Sequence, residues 1–139
     1  MRIFYTDGSC SPNPGPGGWS VVEGKKPIAL GHAKDSTNIR MEGEALIAAM
    51  DVSEGQSVTI NTDSEFWINV LTKWAPGWKA KGWKKKSGPI KNLDLVQKAL
   101  ELYEASEAKL IWVRAHVGTD GNELADEWAN KARLEKINL

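Results

Sequence analysis

Thiols are almost absent from this chain: Cys10 is the single cysteine in 139 residues, so no intrachain disulfide can form, which suits a reducing compartment. Neither of the two histidines lies near Cys10 in sequence, so it reads as a small packing residue and not as a nucleophile. A Cys/His cluster is missing as well, which argues against a dedicated zinc site. No apolar run approaches the ~20 residues that a membrane-spanning helix needs. The opening Met1-Arg2-Ile3-Phe4-Tyr5 enters a strand directly, where an export signal would show an apolar core and a small-residue cleavage site. Repeats, low-complexity tracts and linkers are lacking too. The expectation is a single domain over residues 1–139, cytoplasmic, monomeric, without a membrane or protein partner.

Net charge is also lacking, but only on average. Residues 73–91 hold Lys73, Lys79, Lys81, Lys84, Lys85, Lys86 and Lys91 and no acid. With 18 basic and 18 acidic residues in all, that segment carries +7 and the remainder −7. A basic patch on an acidic body suits a polyanion on one face and leaves the carboxylates free for metal.

Strand signals come first in the chain. Residues 2–7 read as a strand, and Trp19–Val22 and Ile28–His32 read as a hairpin around Gly24-Lys25-Lys26-Pro27. Between them, Ser11-Pro12-Asn13-Pro14-Gly15-Pro16-Gly17-Gly18 is expected to exclude helix and ladder pairing. Met41 to Met50 should be helix, and residues 57–62 a strand. Ser64 is placed to cap a helix to about Thr72, and a further helix spans about Asn92–Ala105 with Leu93, Val96, Leu100 and Tyr103 on one face. Lys109 to Arg114 is a fifth strand, and Asp120-Gly121-Asn122-Glu123 resembles a capping box opening a helix to about residue 134. Three strands, helix, strand, helices, strand, helix describe an α/β protein. Its five-stranded mixed sheet has three antiparallel strands first and parallel crossovers after.

Two of those strands end in nearly the same turn, Tyr5-Thr6-Asp7-Gly8-Ser9 and Asn61-Thr62-Asp63-Ser64. Asp7 and Asp63 therefore stand at the carboxyl ends of strands, where open α/β sheets place their ligand sites. Two carboxylates brought together there repel unless a cation or a shared proton lies between them. Turn chemistry alone also explains Asp-Gly and Asp-Ser, so both readings stand at this point. Glu42 and Glu44 lie about 200° apart around one helix and cannot share a site. Glu42 stacks with Ala45, Leu46 and Ala49, which favours it as the inward member. Asp126 shares a helix face with Glu123 and Asn130, and by itself reads as a solvated acid. His116 follows the fifth strand in a loop, where an imidazole beside carboxylates can shuttle protons near neutral pH. His32, inside a strand without acidic neighbours, reads as structural.

Taken in order, these pieces resemble the type 1 ribonucleases H. The resemblance runs through essentially the whole chain. It rests on Tyr5-Thr6-Asp7-Gly8-Ser9-Cys10, Asn13-Pro14-Gly15-Pro16-Gly17-Gly18, Thr37-Asn38 and Arg40-Met41-Glu42. It continues through Thr62-Asp63-Ser64, Trp78-Lys79, Lys81-Gly82-Trp83, Lys91-Asn92, Ala115-His116 and Asn122-Glu123-Leu124-Ala125-Asp126. The resemblance implies a ribonuclease H-like fold with Asp7, Glu42, Asp63 and Asp126 as the metal-binding catalytic set. It implies His116 as an accessory group in proton transfer or product departure, with Glu123 assisting. The activity implied is endonucleolytic hydrolysis of the RNA strand of RNA/DNA hybrids, leaving 5′-phosphate and 3′-hydroxyl ends.

Such chemistry suits two Mg²⁺ ions, with Mn²⁺ as the alternative, because hard cations take carboxylate oxygens and can flank a phosphate. The basic protrusion at about 74–91 interleaves three of the seven tryptophans with its lysines. A helix pair packing its indoles inward accounts for part of that pattern. The resemblance adds a grip on the DNA strand by Trp78, Lys79, Lys81, Trp83, Lys84, Lys85 and Lys86, through sequence-independent phosphate contacts. Asn13, Thr37 and Asn38 match family positions that contact the nucleic-acid backbone. Two departures stand out: Glu65 occupies a position where the family often has glutamine, and Ile39 one where a polar residue is common. The alternatives are a non-catalytic hybrid-binding module of the same fold, which would be expected to have lost an acid, and another nuclease or integrase of the wider superfamily. The latter would be expected to lack the Trp/Lys protrusion and the Ala-His-Val-Gly loop.

Overall fold

The computed structural model describes residues 2–85, 87–114 and 120–139. Five strands form one sheet: β1 (Arg2–Cys10), β2 (Gly15–Glu23), β3 (Lys26–Ser36), β4 (Ser57–Thr62) and β5 (Glu107–Trp112). Their order is β3-β2-β1-β4-β5. β1 pairs antiparallel with β2, and β2 with β3, while β4 runs parallel to both β1 and β5. This is the expected mixed sheet. β5 starts two residues before its expected place, and Val113 prolongs it by donating to Thr62 O at 2.9 Å.

The proline- and glycine-rich segment departs from expectation. β1 runs on to Cys10 and β2 begins at Gly15, so that Ser9 pairs with Gly18 and Cys10 with Gly17. Pro16 escapes the usual penalty because it sits where the β2–β3 register shifts, between Gly15 and Gly17. Its carbonyl still accepts from Ser11 N at 3.1 Å. The glycines serve close packing: a Cβ on Gly17 would lie 2.7 Å from Met41 Sδ, and one on Gly18 would lie 2.4 Å from Arg133 N. Helices thus press on both faces of the sheet at this point.

One face carries α1 (Asn38–Val52) and α4 (Leu93–Ala105), with α5 (Asp120–Glu135) on the other. α1 is capped by Thr37, whose hydroxyl accepts from Arg40 N at 3.1 Å. Between β4 and α4 the chain does not form one regular helix to Thr72. α2 (Glu65–Asn69) passes through a wide π turn at Val70–Trp74 into α3 (Ala75–Ala80). Pro76, with no N–H, falls just after the wide turn, where an ordinary helix would need that donor.

Trp67 anchors this side of the core. Its ring is fully buried with Phe4, Leu46, Ile60, Leu71 and Leu100, and its indole N–H donates to Ile39 O at 2.7 Å. Gly43 makes room for it, since a Cβ there would lie 2.4 Å from the ring. On α4 the buried residues are Leu95, Val96, Ala99 and Leu100, with Leu93 and Tyr103 only half-buried. On α5 the buried apolar face is Ala125, Ala129 and Ala132, while Trp128 is half-buried under Lys131. Asp120 already lies inside α5, so it is not that helix's cap.

Candidate active site

Sheet register sets the geometry. Thr6 and Thr62 are the last partners across the parallel β1–β4 pair. Asp7, still inside β1 opposite Ser20, and Asp63, just past the end of β4, therefore stand at the same level; the turn expected after Asp7 is strand instead. The turn after β4 is held by Thr62 Oγ1, which accepts from Ser64 N at 3.1 Å. Ser64 then caps α2, accepting from Trp67 N at 3.3 Å, and its side chain also hydrogen-bonds Glu42. Gly8 lets α1 settle onto β1: a Cβ there would lie 2.3 Å from Glu42 N. That contact brings Glu42 to the two aspartates. One carboxylate oxygen from each of Asp7, Glu42 and Asp63 lies within 4.8 Å of the others.

The fourth acid arrives from the opposite face. Ser20 Oγ donates to Ala125 O at 2.6 Å, tying α5 to β2 one residue before Asp126. Asp126 lines one pocket of about 410 Å³ with Asp7, Glu42, Asp63 and Asn38, close enough to Asp7 to raise its pKa. Asn122, 2% exposed, donates from Nδ2 to Asp63 Oδ2 at 3.4 Å. Glu123 is exposed and does not line the pocket.

Burial and mutual repulsion govern the electrostatics. Asp7, 5% exposed, has its pKa pushed up to about 9, first by burial, then by the charge of Asp63 and by Asp126 and Glu42. Glu42 is pushed up to about 7 by burial, opposed by the Ser64 hydrogen bond and reinforced by Asp63. Such carboxylates hold protons near neutrality and give them up to solvent when a cation binds among them. The donor set is oxygen only, which fits a hard divalent ion.

A second feature lies beside α1. Phe66, Lys73, Trp74, Trp78, Lys81, Lys84, Lys85 and Lys91 line a groove of about 770 Å³ between the α2–α3 segment and the start of α4. Trp74 and Trp78 lie with ring centroids 6.5 Å apart, and Lys85 Nζ stands 5.7 Å from the Trp78 ring. Ile39 forms part of the wall, which accounts for an apolar residue there.

The residues expected to bind substrate divide accordingly. Trp78, Lys81, Lys84 and Lys85 share the groove. Lys79 and Trp83 line a different hollow, with Glu101 and Glu104, and Lys79 Nζ is paired with Glu104 at 2.8 Å. Asn13 and Asn38 meet at the start of α1, where Asn13 Oδ1 accepts from Asn38 N at 3.2 Å. Thr37 adjoins them as the cap. Glu65 is exposed in the first turn of α2. His116 and Lys86 lie outside the described residues. Asn122 and the Ser64–Glu42 contact were not singled out in the sequence. Only the approach of α5 and α2 to the strand ends reveals them.

A match to the RNase H family covers residues 1–133. The chain belongs to the RNase H family. Among its relatives is the ribonuclease H of Methylorubrum extorquens (strain PA1), 41% identical over 139 residues, covering 97% of this chain and 61% of that protein. Another, from Granulibacter bethesdensis, is 41% identical over 137 residues and covers 95% and 91%. This chain thus spans somewhat under two thirds of the first relative and nearly all of the second. Among solved structures, a type 1 RNase H with the type 2 active-site motif superimposes with a TM-score of 0.86 at 28% identity, covering 99% of this chain and 74% of that one. A foamy viral protease-reverse transcriptase in complex with RNA/DNA hybrid shares the fold, with a TM-score of 0.79 at 19% identity over 96% of this chain and 20% of that one. The pocket lined by the four carboxylates lies within the matched residues of this RNase H-family chain.

Proposed function

We propose that this RNase H-family chain is an endonuclease that hydrolyses the RNA strand of RNA/DNA hybrids. The observation that carries the reading is the convergence of Asp7, Glu42, Asp63 and Asp126, from four separate elements, on one small pocket. The oxygen-only donor set and the raised pKa values of Asp7 and Glu42 fit a site made for divalent cations. Asp7, Glu42, Asp63 and Asp126 would hold two Mg²⁺ ions, with Mn²⁺ as the alternative. When bound, these supply water activation and offset the negative charge that builds on the phosphate and the leaving oxygen.

The chain's own groups do the rest. Ser64 and Asn122 hold Glu42 and Asp63 in place at the pocket. Trp78, Lys81, Lys84 and Lys85 offer a cationic, aromatic groove for the DNA backbone, and Asn13, Thr37 and Asn38 offer neutral contacts nearer the cut. Lys79 and Trp83 belong to the supporting side of the protrusion, because Lys79 is already paired with Glu104. His116, by its match to the family, would pass a proton to the departing 3′ oxygen. In the net reaction the water oxygen bonds to phosphorus and the P–O3′ bond breaks, leaving a 5′-phosphate and a 3′-hydroxyl. A hybrid-binding module without activity has no use for four converging acids.

The test is a gel assay with labelled RNA/DNA hybrid, double-stranded DNA and double-stranded RNA. Cleavage confined to the RNA of the hybrid is expected. Cutting of double-stranded DNA, or intact hybrid, would overturn the assignment.

A further inference from the structure

Arg133 lies near the end of α5, half-buried, and among the described residues its guanidinium is fixed by neutral groups only. Its Nε donates to Ser9 Oγ at 3.1 Å and its Nη2 donates to Asn130 Oδ1 at 3.2 Å. The Ser9 hydroxyl in turn donates to the same Asn130 oxygen at 2.6 Å. Ser9 also lines the acidic pocket, so the guanidinium stands one hydrogen bond from its wall. The base of the side chain is fixed as well, because α5 approaches β2 so closely that only glycine fits at position 18.

Packing does not require the charge. Ser9 and Asn130 already join β1 to α5 without it, and a neutral side chain would fill the same space. Among the described residues no carboxylate pairs with Arg133, whereas Arg2 is paired with Glu23 and Arg40 with Asp94. An arginine held in one orientation by neutral acceptors keeps its full charge and part of its donor fork for an anion. An anion approaching this pocket also needs such help, since the clustered carboxylates would otherwise repel it.

We propose that Arg133 is a preorganised contact for a backbone phosphate of the strand that enters the acidic pocket. The contact rests on the RNase H reading, and it is electrostatic and indifferent to base sequence. It complements the lysine groove: the lysines hold one strand at a distance from the cut, and Arg133 holds the other beside it.

The experiment measures binding of a fluorescein-labelled RNA/DNA hybrid by anisotropy across a salt series, in the cleavage-deficient D7N background. Adding Arg133→Gln should weaken binding about 3- to 10-fold and lower the slope of log K against log salt by about 0.9, the value of one phosphate contact. Arg133→Lys keeps the charge but loses the fork on Ser9 and Asn130. It should retain the slope while binding about threefold more weakly. Lys25→Gln, on the far hairpin turn, should change neither. In the active protein, R133Q should raise KM by a similar factor while kcat falls less than twofold. A folded R133Q that binds with unchanged affinity and slope overturns the proposal. If R133Q does not fold, R133K indistinguishable from its parent at every salt does so instead. Failure of the wild type to cut hybrid would sink the RNase H reading; a cutting wild type with a silent R133Q sinks this contact alone.

Discussion

Replacing Asp7 by asparagine should stabilise the metal-free protein, and the amount should depend on pH. The Asp7 carboxyl is 5% exposed and its pKa rises from 3.8 to about 9 on folding. Between those values the native state keeps a proton that the unfolded chain has released. Stability is therefore lost as pH rises through this window, at a slope of about 1.4 kcal/mol per unit for one such group. From pH 4 to pH 7 the loss amounts to about 4 kcal/mol, as an upper bound, because other members of the cluster share the repulsion. Asparagine has no proton to lose, nearly the same shape, and an amide that can donate to Asp126. Urea unfolding in EDTA should therefore find D7N more stable than the wild type by about 2–4 kcal/mol at pH 7, with the gap closing near pH 4. Mg²⁺ should stabilise the wild type and narrow that gap, through preferential binding to the native state. A variant that is less stable at pH 7, or that shows the same pH dependence as the wild type, would refute the electrostatic account of the pocket.

Gly8→Ala should cost about 1–3 kcal/mol and most of the activity, because the new methyl would displace the α1 backbone at Glu42; melting curves with parallel turnover assays check both. Ser64→Ala removes the α2 cap, worth about 1 kcal/mol, and the hydrogen bond that holds down the Glu42 pKa. The acid limb of its pH–rate profile should move to higher pH, and an unmoved limb would contradict that role. Replacing Lys81, Lys84 and Lys85 together by glutamine should lower the salt slope of hybrid binding by about 0.9 for each lysine that meets a phosphate. Saturated turnover should change little, and an unchanged slope would place the DNA strand elsewhere.

Much of the site was legible in the chain because strand ends are. Tyr5-Thr6-Asp7 and Asn61-Thr62-Asp63 both carry β-branched or aromatic runs, and parallel pairing of Thr6 with Thr62 makes the two aspartates adjoin. Only Asp63 sits in a turn, however, and β1 runs on past Asp7 to Cys10. The helical stripe of Ala45, Leu46 and Ala49 likewise identified Glu42 as the inward member of its pair. Asp126 needed more than local pattern, since the buried apolar face of α5 beside it is made of alanines, Ala125, Ala129 and Ala132, which mark an inward face only weakly. The roles of Asn122, Ser64 and Arg133 depend on contacts across the sheet, between residues up to 124 positions apart, which no spacing encodes. Pro16 misled because proline is read as excluding ladder pairing, and only the register shift beside it shows how the strand absorbs one. Lys79 looked like its neighbouring lysines, but a carboxylate on α4, 25 residues away, had already engaged it.

The central claim is that the four-carboxylate pocket cuts RNA paired to DNA with the help of divalent metal. A hybrid labelled on both strands, incubated with Mg²⁺ or EDTA and with wild type or D7N in parallel, tests it in one gel with end-group analysis. The account predicts fragments from the RNA strand alone, ending in 5′-phosphate and 3′-hydroxyl, and none with EDTA or D7N. Fragments that persist in EDTA, that come from the DNA strand, or that end in a 2′,3′-cyclic phosphate would contradict it.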